Sequence, residues 1–563
     1  MCKPAIWAAL IACAALALLA QHQTPPRPNF SEDVAPILRE HCIVCHHPGG
    51  GGPSSLVEFQ DARKHAAEIR EAVGTRHMPP WLPESGFGDF EGEDRLADAQ
   101  IALVSKWVHD GSPEGPLSAL VAPPEFVDGW QLGTPDLIVD AAQPITVPAT
   151  GRDVFWNFIL TPSLAATRYV RAIEIRTGNN RIVHHANLLI DRARSARAHE
   201  SAPGAGLPGM DLTLERTALD FDTHFLFWKP GAVPYSEPDG LSWRLDPGTD
   251  LVLNTHLKPD GKPEQVRPSV GLYFTSKPPT RFPILIQLSG DDALNIPPGV
   301  RDFAVTDSFT LPVDSDALAV YPHAHYLGKL LEAWAVLPSG AREWLIKIPD
   351  WDPDCQAVYR YRHPVFLPRG SVISMRYSFD NSAANPNNPN HPPRRVRGGN
   401  QATDEMAHLW LQLLPRGAGD GRPAIEEALL RHRIARNPAD FLAHLRLGGL
   451  LLATMNVGEA QPVLRAAVRL NPKHPEAHNL LGASLAASGR TADAIAEFEL
   501  ALAERPDYPN ARLNLGNALA RAGRFDEAIE NFRKILAAYP DDEVTKDRLA
   551  KTLAARDRQN SAH

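Results

Sequence analysis

A 34-residue period in the last quarter of the chain constrains its fold more than any other feature. Four prolines keep this period, and so do three sets of glycines, alanines and large apolar residues. The members are Pro438, Pro472, Pro506 and Pro540; Gly448, Gly482 and Gly516; Ala460, Ala494 and Ala528; and Leu464, Phe498 and Phe532. Small residues let two helices approach, large ones fill the space between them, and proline ends each unit. The period predicts a solenoid of helix–turn–helix units over residues 422–560, with three full units and a partial helix at each end.

These units resemble tetratricopeptide repeats, whose length and helical hairpins they share. The resemblance implies that the C-terminal region binds a protein partner, because stacked hairpins form a concave surface suited to a peptide or a helix. The other interpretation is that the array only caps and stabilises the rest of the chain.

Residues 151–415 show a sequence pattern that is typical of antiparallel β-structure. Short alternating or β-branched runs are separated by clusters of Gly, Pro, Asn and Asp, for example at 269–274, 318–321 and 372–377. The region is long for one β-sandwich, so we expect two, over residues 151–278 and 279–415. The Pro-rich segment 121–150 before them is interpreted as a connector.

Residues 24–120 are predicted to form a small all-α module around a Cys-x-x-Cys-His motif. Helices are expected at 31–41 and 97–109. In an exported chain the motif, Cys42-Ile43-Val44-Cys45-His46, is typical of covalently bound heme c, in which both thiols add to heme vinyl groups and the histidine ligates iron. A disulfide or a zinc site is the alternative, and zinc would need further Cys or paired His ligands nearby.

Met78 is the expected second axial ligand of the heme iron, because Met/His ligation is typical of cytochromes c. It is the only methionine between residues 2 and 209, and two prolines follow it. His77 is the alternative ligand. Residues 28–115 as a whole resemble class I cytochrome c.

Six residues with copper-binding side chains lie in four short segments of the β-rich region. Imidazole suits copper, and the thioether of methionine suits Cu(I). The six residues are His184, His185, His256, His323, His325 and Met406. A single histidine in a strand is more often a hydrogen-bonded structural residue, but the joint pattern predicts two copper sites.

Spacing divides the six residues into two sets. His323 and His325 are two apart in a predicted strand and share a face, so both can reach one metal, with Met406 as a soft third ligand. His184 and His185 are adjacent, which places them on opposite faces of a regular strand. They can share a metal only if the backbone is bulged or the rings converge. His256 would complete that site.

The four segments together resemble the copper type II, ascorbate-dependent monooxygenases, a family that includes peptidylglycine alpha-hydroxylating monooxygenase and dopamine beta-monooxygenase. The resemblance spans residues 151–415 and is carried by Val183-His184-His185-Ala186-Asn187-Leu188-Leu189, Leu253-Asn254-Thr255-His256, His323-Ala324-His325-Tyr326-Leu327-Gly328-Lys329 and Asp404-Glu405-Met406. It implies two β-sandwiches that face a solvent cleft, with one copper in each.

The resemblance also implies separate roles for the two coppers. The electron-transfer copper would be held by His184, His185 and His256. The copper that binds O2 and hydroxylates a C–H bond would be held by His323, His325 and Met406, which makes these three the expected catalytic ligands.

Departures from the family limit what the resemblance implies about the substrate. Animal members are disulfide-rich, whereas Cys355 is the only cysteine here outside the heme motif and the N-terminal segment. An Arg that binds the substrate carboxylate in the peptide-hydroxylating enzyme is replaced by Tyr321, so a peptide C-terminus is not supported as the substrate. The positions two and four residues after the methionine ligand are Asn and Tyr in the peptide-hydroxylating enzyme. Here they are His408 and Trp410, which are expected to face the substrate pocket. Trp410 as a core residue is the alternative.

Residues 1–20 are interpreted as a signal peptide, with Lys3 before an apolar stretch at 6–20. This segment predicts a periplasmic or extracellular protein, and an uncleaved membrane anchor is the alternative. The net charge is −9 and no basic domain is evident, so nucleic acid is not an expected partner.

The sequence thus predicts an exported copper-dependent monooxygenase that hydroxylates a small organic substrate with O2. Its cofactors would be heme c and two copper ions, with electrons from a donor protein or from a small reductant such as ascorbate. The alternative is a redox scaffold that does not hydroxylate and whose repeats bind a partner protein. The expected fold is multidomain: an all-α cytochrome c, two all-β sandwiches of jelly-roll type and an all-α tetratricopeptide solenoid.

Overall fold

The computed structural model describes residues 27–562, apart from 121, 125, 127, 128, 211, 213 and 216–218. The proposed signal peptide, residues 1–20, therefore lies outside the described residues. Among those that are described, none of the helices combines the length and the hydropathy that a bilayer span requires.

The first region is a helical module built around buried aromatic side chains. Its helices α1–α4 span Ala35–His41, Phe59–Lys64, Ala66–Gly74 and Asp98–His109, and a π-helical turn, Phe30–Val34, precedes α1. The rings of Phe30 and Trp107 are buried with centroids 6.2 Å apart, so α4 packs against this turn. The Cys-x-x-Cys-His motif follows α1 directly.

A large β-rich region follows, and its first part is an antiparallel sandwich. Strands β1–β11 span Leu137–Asp140, Ile145–Val147, Val154–Leu160, Arg168–Arg176, Val183–Asp191, Leu207–Pro208, Phe227–Trp228, Trp243–Leu245, Asp250–Leu257, Glu264–Val266 and Ser269–Thr275. One sheet has the order β1-β11-β4-β8, the other has the order β6-β3-β9-β5-β7, and β2 pairs with β10. Leu251 from one sheet and Leu272 from the other are fully buried in a shared core.

The start of this sandwich differs from the sequence-based expectation. Strand β1 forms an edge of the first sheet by pairing with β11, and β2 pairs with β10. Val139 and Val147 contribute to the core. The segment 121–150 is therefore not only a connector, and the sandwich begins at Leu137 rather than at residue 151.

The second part of the β-rich region is another antiparallel sandwich. Strands β12–β21 span Ile284–Ser289, Asn295–Ile296, Phe303–Thr310, Ser315–His323, Gly328–Val336, Arg342–Ile348, Tyr359–Leu367, Val372–Phe379, Val396–Arg397 and His408–Pro415. Its sheets have the orders β12-β21-β15-β18 and β14-β19-β16-β17, and β13 pairs with β20. Ile286 and Leu411 from the first sheet pack with Tyr377 from the second.

The helical module is fixed to the second sandwich through residues 84–91. Phe90 is buried in the core of that sandwich, with its ring centroid 5.5 Å from Tyr359 and 5.2 Å from Tyr361. The Glu91 N–H donates to the Arg360 carbonyl at 2.8 Å. The Cys-x-x-Cys-His motif is therefore carried by a module that shares a core with the β-rich region.

The C-terminal region is all-helical and keeps the period of the sequence. Helices α5–α12 span Arg422–Arg436, Phe441–Ala453, Val457–Leu470, Pro475–Ala487, Thr491–Glu504, Pro509–Arg521, Phe525–Ala538 and Glu543–Ala562. A Cβ added to Gly482 would lie 2.7 Å from the Phe498 ring, and one added to Gly516 would lie 2.5 Å from the Phe532 ring. Glycine recurs because a larger side chain would push the paired helices apart. The predicted helical repeat array is confirmed.

Replacing Phe498 by alanine is expected to destabilise the repeat array by about 3–5 kcal/mol, because it removes a fully buried ring from between two helices. Leu500→Ala on the same helix is the matched control, since Leu500 is 49% exposed. Hydrogen exchange of peptides from α8 and α9 measures the change. Equal exchange rates in the two variants would contradict the packing role of Phe498.

A buried carboxylate attaches α5 to the second sandwich. Asp307 on β14 is 5% exposed and accepts hydrogen bonds from His432, at 2.8 Å, and from Arg436. The Ser289 N–H donates to it from the same sandwich. Burial alone would raise the pKa of Asp307, but the hydrogen bonds and the charge of Arg436 outweigh burial and lower the pKa below its ordinary value.

Asp307→Asn is expected to loosen this junction at neutral pH by about 3 kcal/mol, because it removes the buried charge that pairs with His432 and Arg436. Since the pKa of Asp307 is lowered in the folded state, its carboxylate stabilises the fold above its ordinary pKa. That stability is lost as the pH falls through the lowered folded-state value, so wild type and variant should converge in acid. Thermal unfolding at a series of pH values measures the difference, and a pH-independent difference would exclude the ion pair as its cause.

Candidate functional site

Three histidines of the first sandwich bring their side-chain nitrogens together. His184 and His185 lie on β5, and His256 lies on the neighbouring β9. The Nδ1 atom of His184 is 3.0 Å from Nδ1 of His185 and 3.1 Å from Nδ1 of His256. One ligand atom from each residue lies within 4.8 Å of the other two. This arrangement fits a metal site with three nitrogen ligands.

A bulge explains how two adjacent histidines reach one point. The register of β5 against β9 shifts between Val183 and His185, so that His184 is the extra residue on β5. The bend removes the alternation that would place the two rings on opposite faces. Of the arrangements that the sequence left open, the bulged strand is the one observed.

Carboxylates lie at the outer nitrogens of two of these rings. Nε2 of His256 is 2.7 Å from Asp153 Oδ2, and Nε2 of His184 is 3.2 Å from Asp354 Oδ1 of the second sandwich. A carboxylate at Nε2 favours the tautomer that carries its hydrogen there, which leaves Nδ1 free to bind metal. The Nδ1 atoms of His184 and His256 therefore converge as potential metal ligands rather than as a hydrogen-bonded pair.

Burial favours the neutral form of two of these imidazoles, those of His185 and His256. It lowers the pKa of His185 well below its ordinary value, and the neighbouring histidines lower it further. Burial also lowers the pKa of His256, although the hydrogen bond to Asp153 acts in the opposite direction. Since neutral imidazole is the form that binds metal, the lowered pKa values of His185 and His256 favour metal binding at neutral pH.

The second histidine pair lies at the end of β15. The sequence predicted both residues within one strand, but the strand ends at His323 and His325 lies just beyond it. Their ring centroids are 5.3 Å apart, with an angle of 83° between the rings. His323 Nδ1 is 2.9 Å from Gln356 Oε1, and His325 Nδ1 is 3.0 Å from the Asp404 carbonyl oxygen. Each acceptor favours hydrogen on Nδ1 and leaves Nε2 free for a metal.

A buried carboxyl group, that of Glu405, holds Met406 beside His325. Glu405 Oε2 accepts the backbone N–H groups of His325, at 2.8 Å, and of Met406, at 3.0 Å, while Oε1 accepts that of Leu327, at 2.7 Å. Glu405 is 0% exposed, and burial raises its pKa to about 8 despite these three donors. The Met406 side chain is buried. Its sulfur as a copper ligand stays a prediction.

The three proposed substrate residues lie around His323. In the pairing of β15 with β21, Tyr321 is opposite Trp410, and His323 is opposite His408. All four side chains lie on one face of the sheet, since alternate residues of a strand share a face. The Tyr321 hydroxyl donates to Gln356 Oε1 at 2.8 Å. Trp410 is half-buried rather than enclosed in the core, and its contact with a substrate stays a prediction.

The Cys-x-x-Cys-His motif offers the donors that a covalent heme requires. Cys42 and Cys45 are free thiols, so the disulfide that was the alternative interpretation is not observed. His46 Nδ1 is 3.0 Å from the Ser54 carbonyl oxygen, so its hydrogen lies on Nδ1 and Nε2 is free for iron. Among the described residues, the one three-residue group with metal-binding geometry is the histidine cluster above, so the further ligands that zinc would need are not seen at this motif.

Met78 and His77, the two candidates for the second axial ligand, lie in different surroundings. Met78 follows α3 and is half-buried, and its N–H donates to the Ala72 carbonyl at 3.2 Å. His77 is exposed, and its Nδ1 lies 3.9 Å from an oxygen of Asp352 in the second sandwich. The greater burial favours Met78. Its ligation of heme iron stays a prediction.

Sequence reasoning missed the residues that orient the candidate metal ligands. They are Asp153, Asp354, Gln356 and Glu405. Asp153 lies 103 residues from His256 along the chain, so no local motif marks it. Glu405 is the exception, because it stands beside Met406 in a segment that carried the family resemblance.

Two protein-family models match the chain, and both are described as tetratricopeptide repeat. They cover residues 450–509 and 485–556. No curated protein matches the chain.

Three solved structures that are similar to this chain each match a quarter of its length or less. MamA is 22% identical, with 25% of this chain and 88% of MamA covered and a TM-score of 0.23. TTC0263, a thermophilic TPR protein in Thermus thermophilus, is 25% identical, and the match covers 23% of this chain and 81% of TTC0263 with a TM-score of 0.21. A MamA fragment from Desulfovibrio magneticus is 24% identical, and the match covers 22% of this chain and 70% of the fragment with a TM-score of 0.21. The two family matches and the observed helices identify residues 450–556 as tetratricopeptide repeats.

Proposed function

We propose that this protein is an exported copper-dependent monooxygenase that hydroxylates a C–H bond with O2 and takes its electrons through a covalently bound heme. The observation that carries the proposal is the convergence of ligand nitrogens from His184, His185 and His256 at one point. In the reaction, one C–H bond and one O2 consume two electrons and two protons and yield a hydroxyl group and water.

The chemistry of the donors supports copper at both sites. Three neutral imidazoles suit several transition metals, including copper. The second site would combine the imidazoles of His323 and His325 with the thioether of Met406, and thioether ligands select Cu(I). When bound, the two coppers would supply O2 reduction at the second site and storage of an electron at the first. The same division of roles is implied by the resemblance to the copper type II monooxygenases.

The protein side chains would fix the ligands and select the substrate. Asp153 and Gln356 hold the imidazoles in the tautomers that metal binding needs, at 2.7 and 2.9 Å. Tyr321, His408 and Trp410 share the face that carries His323, and none of them is an arginine or a lysine. This supports a small organic substrate whose recognition does not depend on an ion pair between a substrate carboxylate and the residue at position 321.

Electron supply is the proposed role of the helical module. Cys42 and Cys45 would bond to the heme, with His46 and Met78 as the axial ligands of its iron. A heme carries one electron at a time, so each hydroxylation would draw two electrons in succession from a donor protein or from a small reductant such as ascorbate. Export to the periplasm or beyond is part of the proposal, since covalent heme attachment fits that location.

Metal stoichiometry is the first test of the proposed function. The full chain, with heme attached, is reconstituted with copper and freed of loosely bound metal, and copper and iron are then measured. Two coppers and one iron per chain are expected, followed by a hydroxylated product in a substrate screen. One iron with no tightly bound copper would overturn the proposal.

A redox scaffold is the second candidate function. The observation that favours it is the repeat region, because tetratricopeptide repeats bind protein partners and carry no chemistry of their own. This candidate predicts that copper loads fully but that no substrate is hydroxylated. Under either function, residues 450–556 support the binding of a protein partner.

A further inference from the structure

We infer that electrons pass from the heme motif to both metal sites through residues 227–231, with Phe227 at the branch between the two sites. The inference rests on the proposed function, because it requires heme and copper at the sites described above. It adds a route and a bridging residue that neither the motifs nor the family resemblance supplied.

One end of the segment lies against the heme motif. A Cβ added to Gly231 would lie 2.2 Å from Cys45 Sγ, so the Gly231 backbone is in direct contact with a thiol that would bond to the heme. Gly231 has a φ of +75°, which glycine adopts without strain. In the loop after the motif, a Cβ added to Gly51 would lie 2.7 Å from Pro230. Contacts from two sides therefore fix the segment on the motif.

The other end of the segment lies in the sheet that carries the three histidines. Strand β7, Phe227–Trp228, pairs with β5, where Ala186 is opposite Trp228. The Phe227 ring stacks on His185, with centroids 5.8 Å apart and an angle of 27° between the rings. The short covalent path from 231 to 227 thus connects Cys45 to a ligand of the first metal site.

Phe227 also faces the second metal site. Its ring centroid is 5.5 Å from that of Tyr321, and the Tyr321 ring is 6.0 Å from that of His323, with 26° between the planes. Tyr321 and His323 are also joined through Gln356 Oε1, at 2.8 and 2.9 Å. The family resemblance implies a solvent cleft between the coppers. Here a continuous row of rings, from His185 through Phe227 and Tyr321 to His323, joins the two sites.

Packed rings conduct electrons better than solvent, because tunnelling weakens steeply with each gap between atoms. With heme held at Cys42, Cys45 and His46 and copper held at the histidine sites, each passage along the segment would move one electron and no proton, and the oxidation of Fe(II) to Fe(III) would balance the reduction of one Cu(II) to Cu(I). Two passages supply the two electrons of one hydroxylation, and an external one-electron donor restores Fe(II) after each. The branch at Phe227 accounts for the delivery of electrons from one heme to two sites.

Flash photoreduction of the full chain tests the route without a substrate. The oxidised protein, loaded with heme and copper and kept free of O2, receives one electron at the heme from a light-driven reductant. Reoxidation of the heme is then followed by its absorbance. Phe227→Leu is expected to slow this reoxidation about tenfold. Phe227→Tyr keeps the aromatic ring and is expected to retain the wild-type rate. If residue 227 only filled space, the leucine and tyrosine variants would show the same rate.

Phe155→Leu is the matched control, because the Phe155 ring stacks on His256 with centroids 4.4 Å apart but lies outside the row that leads to Tyr321. It is expected to leave the rate unchanged, and Tyr321→Leu gives a second test of the row if Phe227→Leu does not fold. Reoxidation at the wild-type rate in copper-loaded Phe227→Leu would overturn the route while leaving the proposed function intact. Heme reoxidation that does not depend on copper would overturn both. Copper loading and fast transfer without any hydroxylated product would overturn only the proposed function.

Discussion

Under the proposed function, a chain that carries His185→Ala is expected to bind one copper per heme instead of two, and its rate of hydroxylation is expected to fall about a thousandfold. His185 is 7% exposed, and its Nδ1 lies 3.0 Å from that of His184. Alanine removes one of three converging nitrogens from a site that the Phe227 ring covers on one side. The remaining pair, His184 and His256, would hold copper weakly. Without this copper, the site could not store the electron that it is proposed to supply in each turnover.

Copper and iron are measured in this variant after removal of loose metal, and product formation is measured with a compound for which the substrate screen gives a hydroxylated product in the wild type. His199→Ala is the matched control, because His199 is an exposed histidine of the same sandwich. The control is expected to keep two coppers. Two tightly bound coppers in His185→Ala as well would show that the histidine cluster is a structural feature of the sandwich rather than a copper site.

The repeat array was the part of the fold most readily predicted from the sequence, because its contacts are local. Gly482 meets Phe498 in the next helix, and Gly516 meets Phe532 in the same way one repeat later. Contacts between neighbouring helices at fixed spacing leave a period in the sequence, and that period was visible without any knowledge of the fold.

The limits of the first sandwich were harder to predict, because its strand pairs are distant in sequence. Leu137 pairs with Leu272, and Val147 pairs with Glu264. The alternation within such a short strand is weak, and the prolines around it suggest a connector. Only the partner strand, more than a hundred residues later, shows that the segment belongs to a sheet.

The candidate metal ligands were named from the sequence, but the way in which three of them converge was not predicted. The sequence left open whether His184 and His185 could reach one point, and a bulge, which is set by the pairing with β9, resolves this. The partners that fix the tautomers, Asp153 and Gln356, come from separate loops and strands. Residue types and spacing therefore led to the proposed chemistry, whereas the orientation of each ring depends on long-range contacts.

Removal of the Glu405 carboxylate tests how far such contacts build the second site. Glu405→Ala is expected to destabilise the second sandwich by about 5 kcal/mol, because the buried N–H groups of His325, Leu327 and Met406 lose their acceptor. It is also expected to weaken copper binding at that site by about 10- to 100-fold, the usual effect of losing a group that orients metal ligands. Thermal unfolding measures the first effect, and copper titration of the heme-loaded chain measures the second.

Asp404→Ala is the matched control for this variant. The Asp404 carboxylate accepts an exposed hydrogen bond from the Gln401 N–H, and the group that His325 uses is the Asp404 backbone carbonyl, which alanine retains. The control should therefore keep both stability and copper affinity. Wild-type copper affinity in Glu405→Ala would mean that β15 and β21 alone place His325 and Met406. Loss of affinity only in Glu405→Ala would mean that one buried carboxyl group, by binding the backbones of His325 and Met406, brings the thioether of Met406 to the histidine pair.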